Sequence, residues 1–347
     1  MASSSGRVIS LDLLRVVAAL AVIMLHASAQ HFVDGFPSAE WNVRVVYHAA
    51  VRWCVPVFLM ISGALFLDPS RRLSLRHLYG KNLLRIVVAF FVWSYVYSFD
   101  KINAGPASKS LILLLTGPSH FWYIKMLVGL YIAVPLLRAI TVDKTTERYF
   151  IVIALVTAII IPSALAIAKQ HGSPVVVKML DKFYHSLYID IAAGYSGYFV
   201  LGHFLYAYRP TQRQRRVFYA LGIAAFVAMI CGTYFYSHFT GKASNLMINY
   251  LTPTVLAESI AVFVLMTSHQ WHLSAGWQRL VAQASRLSFG IYLVHVLVIR
   301  YSVSHGIDSS WLPAVYFVPL YTLGIFAVSC VMIWLLSKIP LANRYLM

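Results

Sequence analysis

Apolar residues in this chain come in long runs, not in the two-residue alternation of half-buried strands or the narrow stripes of soluble amphipathic helices. Ten such runs follow one another, at residues 9–30, 45–67, 82–99, 121–140, 149–168, 187–207, 217–237, 248–268, 287–303 and 313–336. Each approaches the roughly 20 residues that a helix needs to cross a hydrocarbon core of about 30 Å. The polar segments between them are short and leave no room for a soluble catalytic domain. The pattern therefore predicts an all-α polytopic membrane protein with about ten transmembrane helices, forming one unit over residues 1–347.

Composition excludes the soluble alternatives. Hydrophobic residues make up 60% and charged residues 11% of the chain, against about 25% charged in an ordinary soluble domain. The net charge of +17 would point to nucleic acid in a soluble chain, but sorting the basic residues by side of the membrane accounts for it. With the N-terminus inside, Arg7, the cluster Arg71, Arg72, Arg76, Lys81 and Arg85, the group Arg209 to Arg216, Arg279, Arg286 and Lys338 all fall on the inner side. This bias puts both termini in the cytoplasm, in the inner (plasma) membrane of a cell, with no nucleic-acid partner. Arg7, the run Val16–Leu25 and Ala27-Ser28-Ala29 imitate a cleavable signal peptide. Asp12 and Arg15 interrupt the start of the apolar stretch, and the charge balance is best with the first span retained. Cys54, Cys231 and Cys330 all lie in apolar runs without a CxxC pair, so no disulfide framework or zinc site is expected.

Ionisable groups inside spans are costly and are functional candidates by default. Span one carries Asp12, Arg15 and His26. Asp12 and Arg15 are three apart and can pair on the helix surface. Arg15 and His26 are eleven apart, which returns to within about 20° of the same face at an axial distance of about 16 Å. A fixed cation at the inner mouth and a neutral-pH proton acceptor toward the outer surface suit a reaction between a cytosolic anionic donor and an outer nucleophile. Arg15 snorkelling to headgroups and His26 bonding a neighbouring helix is the structural alternative. Span two holds Arg52, then Pro56 as a source of a kink and Ser62-Gly63 as a site of close helix approach. His120, Trp122 and Tyr123 open span four, with Lys125 a turn further in. Asp190 and His203 fall in span six, Glu258 near the centre of span eight, and Tyr292 and His295 in span nine. Glu258 needs a partner, with Arg52, Lys125 or a histidine the candidates.

These residues, in this order and at these separations, resemble the acyltransferase-3 family of integral membrane O-acyltransferases along essentially the whole chain. The carriers are Asp12-Leu13-Leu14-Arg15, the Arg15 to His26 spacing, Pro56/Phe58/Ser62-Gly63, His120-Phe121-Trp122-Tyr123, and Ser288 to His295. Phe289-Gly290 departs from the more varied pair expected there. Family members of this size acetylate enterobacterial common antigen or exopolysaccharides of the cell envelope. The resemblance implies His26 as catalytic histidine, Arg15 as its essential partner and Asp12 in support of Arg15. Arg52, Ser62, His120, Trp122, Tyr123, Glu258, Tyr292 and His295 are the substrate-binding candidates, and the resemblance implies acetyl-CoA as donor co-substrate, with no bound cofactor or metal expected, and a polysaccharide or lipid-linked glycan hydroxyl as acceptor. No P-loop, serine elbow or metal spacing competes with a positioned histidine. A transporter or flippase for a lipid-linked sugar is the alternative use of the same intramembrane charges.

Overall fold

The computed structural model describes residues 8–103, 106–186 and 194–346. Arg7 and Asp190 therefore lie outside the described residues. The described residues are helical, without strands, in the order α1 (Ile9–Ala29), α2 (Ala39–Ala50), α3 (Cys54–Phe66), α4 (Leu75–His77), α5 (Leu84–Asn103), α6 (Ala107–Thr116), α7 (Trp122–Ile140), α8 (Lys144–Ala154), α9 (Ile161–His171), α10 (Pro174–Ser186), α11 (Ser196–Ala207), α12 (Gln212–Thr240), α13 (Pro253–Ser268), α14 (Ala275–Ser304), α15 (Ala314–Leu336) and α16 (Pro340–Tyr345). π-Helical turns at Leu78–Leu83 and Leu155–Ile160 join α4 to α5 and α8 to α9.

Eight continuous stretches among the described residues are long and apolar enough to cross a membrane, and each overlaps one of the ten runs. The other two runs are represented by shorter helices. For residues 187–207 the described part is α11, of 12 residues. For residues 248–268 it is α13, of 16 residues, because Thr252 accepts the Val255 N–H and Pro253 takes the first turn, fixing the start at Pro253. The second span begins earlier than expected, at Ala39, where the Ser38 side chain accepts the Trp41 N–H at 3.1 Å.

Pro56 explains why α2 and α3 are separate helices. Its ring lacks an N–H and would collide with the carbonyl of Arg52, four residues earlier. The chain answers with a turn at Val51-Arg52-Trp53, where Trp53 Nε1 donates to the Ala50 carbonyl at 2.8 Å. The break sets Arg52 halfway along a 28-residue apolar span, Ala39–Phe66. Beyond it α3 lies against α11 at backbone contact. A Cβ on Gly63 would stand 1.7 Å from the Phe199 carbonyl oxygen, and one on Gly202 would stand 2.2 Å from that of Met60. The close approach expected at Ser62-Gly63 is therefore present, with Gly202 as its counterpart.

α1 is the central element, packed against α2, α3, α13, α14 and α15. Leu14, Ala18, Ile23 and Ala27 on it are essentially inaccessible. Glu147 on α8 and His203 on α11 form a buried pair at 2.7 Å away from α1, which gives the intramembrane His203 its partner.

Candidate functional site

α1 runs between two cavities. The first, about 390 Å³, lies at its N-terminal half and is lined by Arg15, Asn82, Arg85 and Arg286, by Ser62, Ser285 and Ser288, and by Phe58, Tyr131 and Phe289. No Asp or Glu is among its lining residues. Arg85 reaches it from α5, with its guanidinium 5.5 Å from the Phe289 ring centroid. Arg286, Ser285 and Ser288 come from neighbouring turns of α14. Asp12 is buried behind this wall and accepts the Ser285 hydroxyl at 2.6 Å, while Ser288 donates to the Ser285 carbonyl at 2.8 Å. Three guanidinium groups around one pocket make a site for a polyanion, because the planar fork binds phosphate in two places.

The second cavity, about 350 Å³, lies at the C-terminal end of α1 and is lined by His26, His48, Arg52, His120, Trp122, Asn245 and Tyr250. His26 sits on the last turn of α1, with His295 5.1 Å and His120 6.3 Å away between ring centroids. The His295 Nδ1–H donates to the carbonyls of Tyr292 at 2.7 Å and Ile291 at 3.2 Å. That fixes the tautomer and leaves Nε2 as a bare acceptor, buried and without a partner. His120 is delivered by a 3₁₀ turn, Ser119–Phe121. Gly117 ahead of it holds φ +63, with the Ser94 hydroxyl and the Phe90 ring where a side chain would go. The Tyr292 hydroxyl donates to the His120 carbonyl at 2.5 Å, which ties α14 to that turn. Trp122 packs beside Tyr195 and Tyr250, with centroids at 5.4 and 5.5 Å.

Val22, Val55, Tyr123 and Tyr292 line both cavities. These four side chains are the wall between a pocket of arginines and a pocket of histidines. Arg15 and His26 stand on opposite sides of it, as the eleven-residue spacing requires at about 1.5 Å rise per residue.

Of the sequence candidates, the first cavity gathers Arg15 and Ser62, the second gathers His26, Arg52, His120 and Trp122, and the wall takes Tyr123 and Tyr292. His295 lies behind His26, and Asp12 lies behind Ser285. Glu258 lines neither cavity. It is buried on α13 and forms no ion pair with the expected Arg52, Lys125 or a histidine among the described residues. Its Oε2 has no partner. Lys125 is exposed and donates to the Thr116 carbonyl at 3.1 Å. Sequence reasoning missed Arg85, Arg286, His48 and Tyr250 as site residues. The two arginines had been absorbed into the charge asymmetry, although Arg85, flanked by Leu83, Leu84 and Ile86, carried an intramembrane signal of its own.

Among the described residues, no three His, Cys, Asp or Glu side chains are grouped so as to hold a metal ion. The chain matches the acyltransferase domain family Acyl_transf_3 over residues 8–334, nearly its whole length, and belongs to that family. It is a multi-pass membrane acyltransferase. No curated protein and no solved structure matches it.

Proposed function

We propose that the protein moves an acetyl group from cytoplasmic acetyl-CoA to a hydroxyl of an extracytoplasmic or lipid-linked polysaccharide, at the inner (plasma) membrane. The observation that carries this reading is the pair of cavities sharing one wall. Acyl-CoA is anionic at one end and reactive at the other, with a thin flexible arm between. A pocket of Arg15, Arg85 and Arg286 suits the phosphates. The arm would cross at the shared wall of Val22, Val55, Tyr123 and Tyr292, and the axial distance of about 16 Å from Arg15 to His26 suits its length. The thioester then lies at His26 while the nucleotide stays on the side of the Lys/Arg-rich turns.

In the second cavity His26 takes the proton from the acceptor hydroxyl as its oxygen attacks the thioester carbon, and returns it to the departing thiolate. A transient acyl-His26 is the other way for the same side chain to carry the group. His295, with its tautomer fixed by two carbonyls, packs against the His26 ring. Trp122 and Tyr250 give an aromatic wall against which a sugar ring stacks, and Asn245 can bond its hydroxyls.

The test is transfer of label from acetyl-labelled CoA by the purified protein, with candidate glycans supplied. Labelled glycan supports the reading. Movement of a lipid-linked sugar across vesicles without consumption of acetyl-CoA would assign the cavities to a flippase.

A further inference from the structure

Arg52 is the single Lys or Arg among the described residues lining the second cavity. It stands at the break in a membrane-spanning segment, where an uncompensated charge is costly. Its partners are nevertheless neutral. Nε donates to the Ile248 carbonyl, and the guanidinium lies over the Tyr250 ring at 4.6 Å. None of the ion pairs among the described residues includes it. Glu258, expected from the sequence as a partner for it, forms no ion pair with it. A backbone carbonyl and an aromatic face thus hold this cation rigid and leave its two terminal nitrogens without an anion. The same cavity contains His26 and His48.

A negative charge that forms next to Arg52 is stabilised by it. Addition to a thioester supplies that charge. The acceptor oxygen bonds to the carbonyl carbon, its proton goes to His26, and the C=O π pair moves onto the carbonyl oxygen. When the C–S bond breaks, the pair returns to the C=O bond and the thiolate leaves with the proton from His26. The hydroxyl of Tyr292 is not available to this oxyanion, being committed to the His120 carbonyl. Resting on the acyl-transfer reading above, we propose that Arg52 is a further catalytic residue, whose terminal nitrogens stabilise the tetrahedral oxyanion formed at His26. Its fixed position supplies the preorganised charge that such a step needs.

The test compares wild type, Arg52→Lys and Arg52→Gln, purified at full length, with labelled acetyl-CoA and two acceptors, one neutral glycan and one bearing a carboxylate. Donor Kd and the thermal midpoint are measured alongside. Loss of one oxyanion donor is worth about 10²- to 10³-fold in kcat. The expected result is that Arg52→Gln loses this with both acceptors, and in acceptor-free hydrolysis of acetyl-CoA, while donor Kd and KM for the acceptors hold. Arg52→Lys, which keeps charge but not the fork, retains part of the rate. If Arg52→Gln fails to fold, Arg52→Lys decides, by a kcat deficit common to both acceptors. A rise in KM confined to the carboxylate-bearing acceptor would make Arg52 a substrate-recognition residue and overturn the proposal, as would an undiminished kcat in a folded variant. An inactive wild type, with neither transfer nor hydrolysis, would overturn the acyl-transfer reading itself.

Discussion

Val22 is where the two-cavity arrangement is most open to attack. It is buried on α1 and lines both cavities. Helical rise places it about 10 Å from the Arg15 level and about 6 Å from the His26 level. Val22→Phe puts a ring into the wall shared with Val55, Tyr123 and Tyr292, displacing whatever crosses there by well over an ångström. A misplacement of about 1 Å at the reacting carbon can cost on the order of 10²-fold in rate, so transfer should fall at least that far. Donor binding should change less than transfer, because Arg15 lies about two helical turns from Val22. The larger side chain also overpacks the site, at about 1–3 kcal/mol, so the thermal midpoint is read with each kinetic run. Val22→Ala thins the wall and serves as the control that keeps transfer. The assay is single-turnover acetyl transfer beside equilibrium binding of labelled acetyl-CoA. Wild-type transfer by a folded Val22→Phe protein would show that the acyl unit does not cross this wall.

Other outcomes follow from the same geometry. His26→Ala should lower transfer by roughly 10²- to 10⁴-fold with the fold retained, measured as turnover against circular dichroism of the purified protein. Arg15→Lys should weaken donor binding and Arg15→Ala should weaken it more, with acceptor KM steady, whereas Asp12→Asn should be milder because its amide oxygen can still accept from Ser285; titration of labelled acetyl-CoA ranks the three. Gly63→Ala should destabilise by about 1–3 kcal/mol, since its Cβ would stand 1.7 Å from the Phe199 carbonyl oxygen and α3 must move off α11; an unchanged unfolding midpoint would contradict that packing. Reporter fusions after residues 34 and 108 should read outside, and after 76 and 214 inside.

The all-helical membrane fold was legible because apolar runs near 20 residues have few other uses in a chain so poor in charge. Span ends were less legible, since caps set them. Ser38 starts the second span six residues before its apolar run, and Thr252-Pro253 starts α13 five residues into its own. The Arg15 to His26 stripe could be read from helical periodicity alone. Which residues from other helices face it could not, because Arg85 and Arg286 reach the first cavity from α5 and α14 through packing that no local pattern encodes. The partner of Glu258 was illegible for a different reason. Arg52, an expected partner, turns to the Ile248 carbonyl at the break made by Pro56, and a backbone acceptor carries no side-chain signature in the sequence.

The sidedness of the reaction remains the decisive measurement. Sealed inverted membrane vesicles carrying the protein would receive labelled acetyl-CoA on the exposed cytoplasmic face, with the acceptor glycan trapped in the lumen. The two-cavity arrangement predicts label on the luminal glycan in wild type, none in His26→Ala, and strong dependence on donor concentration in Arg15→Ala. Label appearing only when donor and acceptor share the same side would contradict it.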